Sequence, residues 1–81
     1  FDIKLQSAGL YKNGSTTVNR KGKREGSESW WSFCQNKLVC IEAVNDPQSF
    51  MIARQILQRN LSIEIDQIKN NNTDLKSLLK A

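Results

Sequence analysis

Arg20, Lys21, Lys23 and Arg24 place four cations in a five-residue run, and the tandem tryptophans Trp30 and Trp31 follow closely. Cations on a flexible tip beside large flat rings are what a protein uses to neutralise phosphates and stack on bases. In that reading Arg20, Lys21, Lys23 and Arg24 contact phosphates, Lys12 and Lys4 extend the footprint, and Trp30 or Tyr11 stacks on a base. Two competing readings use the same residues. A charge run of this length also serves simply as a solvated loop, and Lys23-Arg24 has the form of a dibasic processing site.

Cys34 and Cys40 form the second candidate pair. If Gln35-Asn36-Lys37 is a three-residue hairpin loop, the two thiols lie opposite each other and a cross-strand disulfide is within reach. A two-residue turn makes them diagonal and removes the bond. In an intracellular protein, the setting preferred here, they are small buried hydrophobes. The Asn-x-Ser/Thr triplets at Asn13, Asn60 and Asn71, with the even cysteine count, support a secreted alternative.

The composition removes several chemistries. The chain has no histidine, which takes away the usual general base and the commonest metal ligand. No dinucleotide, P-loop or paired-cysteine motif occurs, so neither a cofactor nor a metal is expected. Glu42 and Asp46 are isolated acids, and catalysis is not expected. No apolar run reaches the roughly 18 residues of a membrane span.

A chain of 81 residues, 38% hydrophobic and 25% charged, suits one domain spanning residues 1–81. Its formal net charge of +4 and pI near 9.3 favour an anionic partner. Six cations against one acid fall within residues 1–24, so the positive field belongs mainly to the N-terminal third.

The elements that must hold these residues are legible from periodicity. Phe1, Ile3 and Leu5 alternate with polar positions, and Gly9 suits a bulge. Asn13-Gly14 signals a type I′ turn, with Thr16, Thr17 and Val18 returning as the second strand of a ribbon. Residues 19–29 read as a loop. Residues 29–34 and 38–44 read as a central hairpin in which Trp31 shares the apolar face with Phe33, leaving Trp30 the more accessible ring. Asp46 and Pro47 start a helix over 47–59, which Asn60 can stop. Leu61, Ile63 and Ile65 alternate as a strand over 61–66, completing a β-α-β unit. A last helix over 74–81 sets Leu75, Leu78 and Leu79 against the chain's own core or a protein partner.

The expected fold is therefore α+β: a mostly antiparallel sheet of about five strands, a β-α-β unit and two helices on one face. The expected function is a non-enzymatic basic module for RNA or DNA, as a small subunit of a ribonucleoprotein assembly. The alternative is a small secreted effector or toxin-like protein with one disulfide.

Overall fold

Lys37–Val44 is the most apolar, β-prone stretch of the chain, and such a strand is stable only with neighbours on both sides. In the computed structural model, which describes residues 3–79, it takes an inner position as β4. The other strands are β1 (Leu5–Gly9), β2 (Thr16–Lys21) and β3 (Glu28–Cys34), in the sheet order β1-β4-β3-β2 with every pairing antiparallel. Three strands linked by consecutive hairpins with the first laid beside the last make a Greek key.

The α+β class holds, with four strands where about five were expected. The proposed β1–β2 ribbon does not form. A type I′ turn needs positive φ at both central residues, yet only Gly14 has it (+86°), while Ser15 N–H donates to the Lys12 carbonyl at 3.1 Å. Residues 10–15 instead carry the chain from one edge of the sheet to the other. Gly9 begins that departure at φ +83°, where a Cβ would stand 2.1 Å from the Val39 carbonyl oxygen.

The β3–β4 hairpin closes through two residues, Gln35 (φ 52°) and Asn36 (φ 64°). Cys34 consequently faces Lys37, and a bulge at Ser32/Phe33 brings Ser32 opposite Cys40. Both cysteines are free thiols, so the possible Cys34–Cys40 disulfide attached to the secreted alternative is corrected on geometry.

Helix α1 (Pro47–Arg59) starts as its sequence requires. The Asp46 carboxylate accepts from Ser49 N–H at 3.2 Å and from Ser49 Oγ at 2.7 Å, and Pro47 occupies the first turn. Asn60 ends it in the left-handed conformation at φ 52°. Ile52, Ala53 and Ile56 face the sheet and meet Trp31, Phe33 and Ile41 in the core.

The strand expected over 61–66 is absent. Residues 61–64 join no strand ladder, and a short helix α2 (Ile65–Lys69) follows, with Glu64 N–H donating to Gln67 Oε1 at 2.7 Å. Among the described residues there is thus no β-α-β unit. The apolar alternation still has its use, because Ile63 and Ile68 are both buried in the core. Leu75–Leu79 forms a 3₁₀ turn rather than an α-helix; Leu78 is buried and Leu75 and Leu79 pack against the same core. These leucines serve the chain itself, which corrects the expected partner helix as far as residue 79; its last residues lie outside the described range.

Candidate functional site

The cationic run begins inside β2. Along β2 the residues Val18 and Arg20 point to the helix-covered face, whereas Thr17, Asn19 and Lys21 point to the other. Arg20 is therefore carried into the interior and is only 7% exposed. Its guanidinium donates to four backbone carbonyls: Ile68 at 3.1 Å, Asn70 at 2.7 Å, Asn71 at 3.2 Å and Thr73 at 2.8 Å. Burial pushes its pKa below the ordinary arginine value, against the opposing pull of Asp46.

The loop after β2 is tied as tightly. Gly22 N–H donates to the Ser27 carbonyl at 2.8 Å, Ser27 N–H to the Arg24 carbonyl at 3.1 Å, and Ser27 Oγ to the Asn45 carbonyl at 2.7 Å. Gly22 cannot be larger, because a Cβ there would lie 2.5 Å from the Ser27 Cβ. Lys21 pairs with Glu28 across the strands, and that hydrogen bond holds the Glu28 carboxyl below its ordinary pKa, with a smaller contribution from Asn19.

Three segments then enclose a cleft of about 730 Å³: the loop at 20–24, the start of α1 at 45–49, and residues 71–75. Exposed Lys23 and Arg24 stand at its mouth, and Arg20 lines it together with Asn71 and Thr73, two of the four residues whose carbonyls it holds. Lys4 and Arg24 border a neighbouring hollow beside Asn45.

The expected phosphate-and-stacking constellation is not assembled. Arg20 is buried and saturated by carbonyls. Lys21 is paired with Glu28, and Lys12 lies in the turn at the opposite end of β2, one strand length away. Trp30 is half-buried on the sheet face away from the helices, whereas Trp31 is wholly buried and donates from Nε1 to Ser29 Oγ at 2.8 Å. Only Lys23 and Arg24 stay together as exposed cations. The cleft wall at 71–75 was not anticipated, because the burial of Arg20 shows only once β2 is seen to extend to Lys21.

The second face of the sheet is uncovered among the described residues. It shows Leu5 and Ser7 on β1, Glu42 and Val44 on β4, Trp30 and Ser32 on β3, and Thr17 and Asn19 on β2, with Thr17 Oγ1 and Ser32 Oγ 2.9 Å apart. Among the described residues no group of three His, Cys, Asp or Glu side chains gathers as a metal site, and no helix is long and apolar enough to cross a membrane.

A family model described as reductase C-terminal matches residues 1–79. The chain belongs to this family. The rhodocoxin reductase of Rhodococcus erythropolis is 34% identical over 76 residues, covering 94% of the chain and 18% of that protein. The crystal structure of a ferredoxin reductase from Rhodopseudomonas palustris superposes with a TM-score of 0.82 at 33% identity, covering 94% of the chain and 19% of that structure. The reductase C-terminal domain thus spans about a fifth of the length of these relatives.

Membership overturns the expectation of a nucleic-acid-binding module and its secreted, toxin-like alternative. It equally overturns the expectation of a chain unconnected with an enzyme, since both relatives are reductases. Nucleic acid as the partner is withdrawn on the same ground.

Proposed function

We propose that the chain is the C-terminal domain of an oxidoreductase that reduces a ferredoxin, and that it supplies docking surface and shape while the reacting groups lie elsewhere in the polypeptide. The observation that carries this is the family match over residues 1–79 joined to relatives in which such a domain is a fifth of the whole. The residue inventory supports the division of labour: the domain has no histidine, and its buried arginine is spent on backbone carbonyls. Small electron carriers form weak, short-lived complexes in which complementary charge raises the on-rate. The exposed Lys23 and Arg24 at the cleft mouth suit an acidic carrier.

The test uses the full-length polypeptide that contains this domain, with NADH or NADPH as donor and a [2Fe–2S] ferredoxin as acceptor. Ferredoxin reduction by the intact enzyme is expected, with a loss of about tenfold or more when the domain is deleted. An intact enzyme that leaves ferredoxin oxidised refutes the reading. Lys23→Glu with Arg24→Glu is expected to raise the KM for ferredoxin severalfold at low salt and to flatten its ionic-strength dependence. The rate with a small neutral dye acceptor stays unchanged in that variant.

A further inference from the structure

The fold leaves the Asn13-Gly14 motif without the hairpin it signals, because β1 and β2 lie at opposite edges of the sheet. Of the eight asparagines in the chain, Asn13 alone is followed by glycine. An asparagine carboxamide lies within reach of the next residue's backbone nitrogen, and a Cβ on that next residue shields the nitrogen from it. At Gly14 the shield is missing, and a Cβ built there would meet no atom within 4 Å. Asn13 is exposed, and the turn around it is closed by its neighbours: Ser15 N–H donates to the Lys12 carbonyl at 3.1 Å, and Ser15 Oγ donates to the same oxygen at 2.6 Å. Gly14 N–H takes part in neither bond. Several other carboxamides are tied down. Asn19 Nδ2 donates to the Ser29 carbonyl at 3.2 Å, Asn45 Oδ1 accepts from Lys4 N–H at 2.7 Å, and Asn70 Oδ1 accepts from Asn72 N–H at 2.9 Å.

We propose that Asn13-Gly14 is a site of spontaneous modification, at which the chain's own backbone converts Asn13 to aspartate and isoaspartate and thereby loosens the turn leading into β2. The Gly14 nitrogen gives up its proton and bonds to Asn13 Cγ, while the Cγ–Nδ2 bond breaks and Nδ2 leaves with that proton as ammonia. Water then opens the five-membered imide at either carbonyl. One opening yields aspartate, which adds a negative charge beside Lys12 and leaves the main chain as it was. The other yields isoaspartate, whose main chain runs through the former side chain and is longer by one methylene. Both bonds from Ser15 to Lys12 span this point, so the longer chain pulls them apart and frees Thr16 at the start of β2. Water is the only co-reactant, and the chemistry is independent of the reductase reading.

The test ages the full-length enzyme at 37 °C and pH 8 and maps its peptides by mass spectrometry. A gain of about 1 Da is expected at Asn13 before any other asparagine of residues 1–81, with isoaspartate there read by methyl transfer from S-adenosylmethionine through an isoaspartyl methyltransferase. Gly14→Asn tolerates the positive φ while restoring a Cβ, and is expected to slow the conversion severalfold. Amide exchange at residues 15–17 is expected to be severalfold faster in the isoaspartate fraction than in fresh enzyme or in Asn13→Asp. Asn13 that stays intact, conversion of another asparagine first, or an equal rate in Gly14→Asn overturns the site. Unchanged exchange in the isoaspartate fraction overturns the loosening of the turn.

Discussion

Arg20 illustrates how a residue can be legible in type and illegible in role. A cation in a run of cations reads as exposed, and its alternation with Val18 on β2 was hidden while residues 19–29 read as loop. Once β2 extends to Lys21, Arg20 must enter the interior, where a planar fork of donors finds four carbonyls. Arg20→Met leaves those carbonyls unpaired and is expected to cost about 2–4 kcal/mol in urea unfolding, while Arg20→Lys recovers only part. The two thiols also separate at this scale. Burial first, then the nearby Glu42 charge, raises the Cys40 pKa above the ordinary thiol value. A raised folded-state pKa stabilises fully below the unfolded value, so this contribution is intact at neutral pH and is lost as pH climbs past about 9. Half-buried Cys34 is expected to react with iodoacetamide well before Cys40 in timed alkylation at pH 8, read by mass spectrometry.

Among the elements, those fixed by local chemistry were legible and those fixed by partners were not. Asp46, Pro47 and Asn60 mark the ends of α1 because caps depend on adjacent residues, and Asp46→Ala is expected to cost about 1 kcal/mol of stability. The β3–β4 turn was placed correctly but given one residue too many, since nothing in Gln35-Asn36-Lys37 declares two left-handed residues. Those conformations predict that Asn36→Gly stabilises the fold by about 0.5–1 kcal/mol in thermal or urea denaturation, because glycine meets a positive φ without steric cost. The alternation over 61–66 was read as a strand, yet alternation states only which side chains are buried. A strand also needs an edge to pair with. Glu64 and Gln67, spaced three apart, carried the helix-start signal that the alternation obscured.

For the whole molecule, composition set the class and the charge but not the business. A net charge of +4 places minimum solubility near pH 9.3, and a precipitation series across pH should show it there. Function stayed out of reach for a physical reason. The stretch matches only about a fifth of its reductase relatives, and read alone its cations and aromatics pointed to a freestanding binder. The sheet's uncovered face became visible only when all four strands were in place, because it is defined by the absence of a neighbour.

The arginine clasp links β2 to residues 48 to 53 positions further along, which makes it a timing device for assembly as well as a brace. During synthesis the sheet and α1 are complete before the carbonyls of residues 68–73 exist. Until they arrive, the donors of Arg20 can be met only by water or by groups other than those four carbonyls. A chain ending short of residue 68 is therefore expected to remain a loosely packed sheet, read as weak protection of β2 amides in hydrogen exchange.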